Sequence, residues 1–289
     1  MRVEKFKASS SDKVSNLIIK HISNISYNQV MKLLRNKDIK VNGKRISKDC
    51  IVEVDDEIIF YIKEDIISRK LDVIFEDDNV IVIFKPRKLE VENNTEDCAL
   101  NIIKKQIGQD CFAVHRLDRN TTGLLIFAKN LESKNSLDKA IKDRKIDKYY
   151  LALLVGMLNK NQDNMIAYLK KDNKKSFVEI CDFPQKGYEK IETIYKIVEK
   201  YENLSLVDIK LVTGKTHQIR AHFSHIGYPI LGDEKYGNTI FNKMMKTKYQ
   251  CLCAYKLQFN FTKDDYLSYL NSIKIELNKE KIDFLKFYK

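Results

Sequence analysis

The sequence predicts an α+β protein in two parts: a larger domain on a central, bent, mostly antiparallel mixed β-sheet flanked by helices, and a small α+β domain ahead of it. Three observations predict this. Continuous apolar runs at residues 80–84, 124–128 and 149–155 read as strands covered on both faces. Several strand signals follow one another without helices between them, which argues against a doubly wound parallel sheet. A short polar connection, residues 63–70 (KEDIISRK), sets off the first 64 residues, so the expected domains are 1–64 and 65–289. A chain of 289 residues is long enough to give each part its own core.

In the small domain, Val14, Leu17, Ile18 and Ile22 recur at helical spacing, with Ser11 or Asp12 available as N-cap. Ser26 can cap a second helix with the apolar face Val30, Leu33 and Leu34. Two short strands should turn at Asn42-Gly43, and a third, 58–62, should follow Asp55-Asp56. Residues 35–48 hold Arg35, Lys37, Lys40, Lys44, Arg45 and Lys48 against Asp38 alone, six basic groups to one acidic and a net +5. In the larger domain, the strand at 80–84 follows the turn Asp77-Asp78-Asn79. A helix over 131–142 is capped by Asn130. Residues 191–198 and 204–212 flank a polar turn, as in an antiparallel hairpin. A further helix over 216–224 stops near Gly227, with Pro229 beyond.

Bulk properties narrow the function classes. Nine glycines and three prolines leave no room for a long flexible linker. The first 13 residues lack the apolar stretch of a secretory signal, and no run approaches the roughly 18 apolar residues of a membrane helix. The six dispersed cysteines are expected to be reduced thiols, and the protein to work in the cytoplasm without membrane contact. The net charge of +12 favours a phosphate-bearing partner, although a Lys-rich composition can produce the same number.

The chemistry-bearing residues gather in two places. Four of the five histidines (His115, His217, His222, His225) and five of the nine glycines (Gly123, Gly214, Gly227, Gly232, Gly237) lie in or next to two segments. The first is HRLDRNTTG, residues 115–123. Its Asp118, flanked by Arg116 and Arg119 ahead of a buried strand, is expected to be held ionised. An ionised carboxylate suits a nucleophile or general base, and a structural ion pair would have the same signature. The likeness of this segment to a kinase catalytic loop fails, because Leu117 separates Arg from Asp and no Gly-rich phosphate loop exists. The second is residues 211–222, LVTGKTHQIRAH, which, if helical, puts His217 and Arg220 one turn apart on one face. Its histidines, spaced H-x4-H-x2-H without a H-E-x-x-H arrangement, predict no metal site.

Taken together, these segments resemble the RluA family of pseudouridine synthases. Four stretches match in order over about residues 71–260: DDNVIVIFKP from Asp77, HRLDRNTTGLLIFAK, KYYLALLVG from Lys148, and LVTGKTHQIRAHFSHIGYPILGDEKYG. The resemblance implies that Asp118 is catalytic, attacking ribose C1′ or taking a proton from C2′. It implies that Tyr150 stacks on the target uracil, that Arg220 pairs with Asp118, and that Arg116 enters the RNA helix where the base leaves it. Arg119, Lys148, Lys215 and His217 are the further expected RNA contacts. The reaction breaks the N-glycosidic bond, rotates the uracil and rejoins it through C5, with no cofactor and no metal. Residues 12–64, above all VMKLLRNKDIKVNGKRISKDCIVEVDDEIIF, resemble the S-four-type RNA-binding module. That implies RNA contacts at Arg35, Lys37, Lys40, Lys44 and Arg45. The sequence departs from these patterns at Lys13–Asn16, Thr122, Lys215 and Cys253, none of them in the Asp118, Tyr150 and Arg220 set. The expected partner is RNA, ribosomal large-subunit RNA ahead of transfer RNA, and the chain is expected to act as a monomer. The rival from another class is an RNA-binding assembly factor whose catalysis is dispensable.

Overall fold

The computed structural model describes residues 2–22, 25, 27–62, 70–93, 97–172 and 177–288. It divides into two compact units, Met1–Lys70 and Leu71–Lys289. Residues 63–69 of the expected polar connection, and with them the 64/65 boundary, fall outside the described residues. No helix among the described residues is long and apolar enough to cross a membrane.

In the small unit, β1 (Arg2–Lys7), β6 (Glu57–Ile62), β3 (Ile39–Val41) and β4 (Lys44–Ile46) form an antiparallel sheet in that order, while β2 (Asp12–Lys13) pairs with β5 (Ile51–Val52). Strand β6 alternates half-buried and buried side chains, so Ile58, Phe60 and Ile62 all point at the helices. Against them pack Val14, Leu17 and Ile18 of helix Val14–His21, and Val30, Leu33 and Leu34 of helix Tyr27–Arg35. The β3–β4 turn is the expected Asn42-Gly43, both residues at positive φ (48° and 79°), as a two-residue hairpin of matching twist requires. The expected cap at Ser11 or Asp12 is not made. Asp49 takes that role, accepting from the Ser15 amide at 3.1 Å and the Ser15 hydroxyl at 2.7 Å. Asp12 is occupied by Asn16 and Lys20. The Ser26 cap lies outside the described residues.

The large unit is built on one sheet of eleven strands. They are β7 (Asp72–Glu76), β8 (Val80–Lys85), β9 (Phe112–Ala113), β10 (Thr122–Ala128), β11 (Ile146–Val155), β12 (Gln162–Asp172), β13 (Phe177–Cys181), β14 (Glu189–Tyr201), β15 (Leu204–Leu211), β16 (Leu252–Phe259) and β17 (Lys274–Glu276). The order is β13-β12-β14-β15-β11-β16-β10-β8-β7, with β9 on β10 and β17 on β16. The β10–β16 pair is parallel and the other pairs of this sheet are antiparallel, so the sheet is mixed and mostly antiparallel as expected. Bulges after Val73, Tyr149 and Ile197 bend the strands that carry them.

The continuous apolar runs follow from a sheet with a core on each face. Ile81, Ile83, Leu125 and Phe127 face one core, which also holds Ile103 of helix Ala99–Ile107 and Phe223 of helix Gln218–His225. Val80, Val82, Leu124 and Ile126 face the other, with Leu137 and Ala140 of helix Leu131–Lys142. Asn130 caps that last helix by accepting from the Ser133 amide at 2.8 Å.

Candidate active site

The segment ahead of β10 carries Asp118 and is pinned at several points. The Asp118 carbonyl accepts from the Thr121 amide at 3.0 Å, closing a tight turn. Lys85, a fully buried lysine at the end of β8, donates to the carbonyls of Leu89 (2.8 Å), Pro86 (3.1 Å) and Arg119 (3.2 Å), tying two loops together. The ring of His115 accepts from the Ile126 amide at 3.1 Å through Nε2. Burial, with Lys148 nearby, pushes its pKa down to about 3, so the imidazole is neutral and structural. Gly123 then crosses β16 so closely that a Cβ there would lie 2.1 Å from the Ala254 carbonyl oxygen.

The cation against Asp118 comes from 102 residues further along the chain. Arg220 Nη1 donates to Asp118 Oδ2 at 2.8 Å. Its Nε and Nη2 form a side-on pair with Asp233, at 2.7 and 2.9 Å. Asp233 is itself fixed by the amides of Lys235 and Tyr236, at 2.9 and 3.0 Å. Burial opposes the charge on Arg220, but the bonds to Asp233 and Asp118 outweigh it and raise its pKa. Burial likewise works against the Asp233 carboxylate, and Arg220 with the two amides holds its pKa below the ordinary value. Arg220 is therefore a charged, immobile hinge between a buried carboxylate and Asp118. The flanking Arg116 and Arg119, expected to hold Asp118 ionised, are exposed and make no ion pair with it among the described residues.

Tyr150 enters from β11 at the bulge, between Ile209 of β15 and Ala254 of β16. It is buried, and that burial, with the charge of Asp118 adding to it, raises the phenol pKa and keeps it protonated. His217 is not in the helix, as its expected pairing with Arg220 on one helical face supposed. It caps the helix from a left-handed backbone (φ 54°), which turns its ring toward Asp118. Its Nε2 is 3.9 Å from Asp118 Oδ2, and its Nδ1 is 3.0 Å from the Tyr236 hydroxyl. That hydroxyl also accepts from the Val178 amide at 3.0 Å, which fixes the tyrosine against which the His217 ring rests. Burial lowers the pKa of His217, with Asp118 acting against that fall.

Two cavities meet at this point, of about 740 and 720 Å³. Arg116, Asp118, His217 and Arg220 line both. The first also takes in Tyr150, Lys148 and Lys215, so apart from Arg119, which lines the second, the site residues expected in this unit share one cavity. Lys148 is half-buried and burial lowers its pKa, while Lys215 is ion-paired with Glu189. The histidines of the second segment have three separate partners: Tyr236 for His217, Thr193 for His222 and Asp182 for His225. Sequence reasoning quoted Asp233 within ILGDEKYG without singling it out. It directly follows Gly232, where a Cβ would strike the Tyr249 carbonyl oxygen at 2.1 Å.

A carboxylate held by a buried arginine, beside a buried phenol in a cavity lined mostly by basic side chains, suits chemistry on an anionic polymer. The chain belongs to the RNA pseudouridylate synthase family, enzymes that isomerise uridine in RNA, and the family model matches residues 79–225. It is 35% identical to the ribosomal large subunit pseudouridine synthase C of Rickettsia bellii, over 78% of this chain and 82% of that one. An uncharacterized RNA pseudouridine synthase of Mycoplasma genitalium is 29% identical, over 96% of this chain and 94% of its own. Among solved structures, human RNA pseudouridylate synthase domain containing 4 has the same fold, with a TM-score of 0.59 at 20% identity, over 72% of this chain and 88% of that one.

Proposed function

We propose that this enzyme isomerises uridines of large-subunit ribosomal RNA in the cytoplasm, with Asp118 as its catalytic residue, Arg220 holding Asp118, and Tyr150 stacking on the target uracil. The observation that carries the residue roles is the 2.8 Å bond from Arg220 to Asp118, backed by the bidentate pair to Asp233, at the junction of two cavities. It fixes the position of the Asp118 carboxylate against a cation that is itself anchored. The isomerisation breaks C1′–N1 and forms C1′–C5; the C5 proton leaves and N1 takes one up, so atoms balance within the base and solvent. Asp118 serves either as nucleophile at C1′ or as base at C2′. Arg116, exposed on the rim of both cavities, takes the place of the flipped base in the helix, offsetting part of the few kcal/mol that unstacking costs. Large-subunit RNA as substrate is supported by the names of relatives such as that of Rickettsia bellii.

We also infer that the small unit is an S-four-type RNA-docking module. Lys40 and Arg45 stand directly opposite one another on β3 and β4, a like-charge pair that costs stability in a hairpin. Arg35, Lys37 and Lys44 surround them, and none of the five is paired with a carboxylate among the described residues. A phosphate backbone is the partner that makes such a cluster favourable. The test is pseudouridine mapping on total RNA from cells with and without the gene, complemented by wild type or Asp118→Ala. Sites that vanish on deletion and return with wild type alone establish activity, residue and substrate together. If no site changes in ribosomal RNA, the substrate is wrong; if Asp118→Ala restores the sites, the catalytic residue is wrong.

A further inference from the structure

The first cavity does not end at the uracil site. It runs on from Tyr150 and Lys148 to the turn that closes helix Leu131–Lys142, where Ile141, Lys142, Arg144 and Ile146 line it. Seven basic side chains line this cavity (Arg116, Lys142, Arg144, Lys148, Lys210, Lys215, Arg220) against three acidic ones (Asp118, Asp147, Glu192). Pairing sorts them. Arg220 serves Asp118, Lys210 is bonded to Asp147 at 2.8 Å, and Lys215 is held by Glu189. Glu192 accepts from Asn164 at 3.1 Å. Arg116, Lys142, Arg144 and Lys148 are left without a carboxylate partner among the described residues.

The turn holds its two cations in place. Arg144 sits at φ 58°, fixed by the bonds of its amide to the Ile141 carbonyl (3.3 Å) and of the Lys145 amide to the Ala140 carbonyl (2.8 Å). The next positive charge, Lys145, is held away from the cavity, with Nζ 2.7 Å from both oxygens of Asp265. Exposed Lys142 and Arg144 therefore flank an arm with an apolar floor of Val114, Ile141 and Ile146. Apolar floor, cationic rim and continuity with the uracil site match one ligand chemistry, a nucleotide with its phosphodiester.

We propose that Lys142 and Arg144 form a phosphate subsite for the RNA strand that carries the target uridine, and that the Val114–Ile141–Ile146 floor receives the adjacent nucleoside. This rests on the RNA pseudouridine synthase reading. The subsite is a distance from Asp118 and takes no part in the bond changes; it holds the strand so that the target base reaches Tyr150.

The experiment measures binding of the full chain to an unmodified large-subunit ribosomal RNA transcript across a range of salt. Each lost phosphate contact lowers the slope of log affinity against log salt by about 0.7 to 0.9. Lys142→Gln with Arg144→Asn keeps a residue tolerant of positive φ at position 144 and should flatten the slope by about 1.4 to 1.8. Lys263→Gln with Lys279→Gln removes two exposed charges away from the cavity and should leave the wild-type slope. A double variant at 142 and 144 with the wild-type slope, or two variants flattened equally, overturns the subsite. Arg144→Lys, which keeps the charge, should restore its share of the slope if the effect is electrostatic rather than structural. The two readings fail separately. A wild-type chain that forms no pseudouridine in RNA refutes the enzyme reading, whereas an active wild type with an unmoved slope refutes the subsite alone.

Discussion

Arg220 is shared between two carboxylates, and losing each should have a different consequence. Arg220→Ala removes the cation from both, leaving Asp233 buried without its charge partner; turnover should fall below detection and the protein should be destabilised. Asp233→Asn keeps the shape but breaks the buried pair, a change that costs about 3 kcal/mol or more. For a unit of this size that is a drop in Tm of roughly 6 to 12 °C. Calorimetry and single-turnover rates check both, and an Asp233→Asn protein that melts and reacts like wild type would mean Arg220 needs no anchor. The buried histidines predict an acid limb. The His222 pKa is pushed down to about 4 by burial, against an ordinary 6.5 in the unfolded chain. Its Nδ1 lies 3.1 Å from the Thr193 hydroxyl, which itself accepts from the Gln218 side-chain amide at 3.0 Å. Between these values the unfolded state binds the extra proton, so stability is whole above about pH 6.5 and is lost as pH falls toward 4. At pH 5 the loss from His222 is about 2 kcal/mol relative to pH 7, and His222→Gln should flatten that part of the curve in denaturant titrations. Asp118 and Arg220 stand out in the sequence because histidines and glycines cluster around them, whereas Tyr150 is reached only through the family resemblance. Asp233 does not stand out, since an acid's burial and its partner 13 residues away leave no mark in composition.

Strand β10 must place Asp118 at one end and cross β16 at Gly123, and the crossing leaves no room for a side chain. Gly123→Ala would set its Cβ against the Ala254 backbone, at a φ of 120° that L-residues rarely adopt. It should cost several kcal/mol and displace the Asp118 turn, so activity and Tm fall together. Gly43, at φ 79° with open space around it, marks the contrast: Gly43→Asn should cost well under 1 kcal/mol, because only the backbone conformation is demanded there. Equal losses at the two positions would remove the steric account. Elements with an unambiguous local signal were legible, among them the Asn42-Gly43 hairpin, the Asn130 cap and the apolar strands β8 and β10. Strands β1 and β12 were not read; along β12 the buried Met165, Ala167 and Leu169 alternate with Ile166 and Tyr168, so apolar residues on both faces blur the period-two signal. Helix 99–107 escaped because its N-cap, Cys98, makes no side-chain cap bond. The cap of helix Val14–His21 was misread for a related reason: Asp49 reaches it from 34 residues away.

The two compact units carry separate cores, and neither apolar cluster around the large sheet includes a residue before Leu71. Removing residues 1–70 should therefore leave the large unit with its own cooperative melting transition. What it should lose is electrostatic. The small unit takes Arg35, Lys37, Lys40, Lys44 and Arg45 with it, five cations in one patch, while Asp118, Arg220 and Tyr150 stay. If that patch docks on a phosphate backbone, affinity for structured RNA falls and the slope of log affinity against log salt flattens by as much as about 4.5, about 0.9 for each of five contacts. The single-turnover rate at saturating RNA should change far less than the affinity, because Asp118, Tyr150 and Arg220 all belong to the large unit. Filter binding over a salt series and rapid-quench assays on the truncated and full chains separate the two quantities. A truncated chain with the full slope means that the cations of the large unit alone carry the RNA, and the like-charge pair of Lys40 and Arg45 then needs another explanation. A truncated chain with unchanged affinity and a collapsed rate would make the small unit part of catalysis rather than of docking.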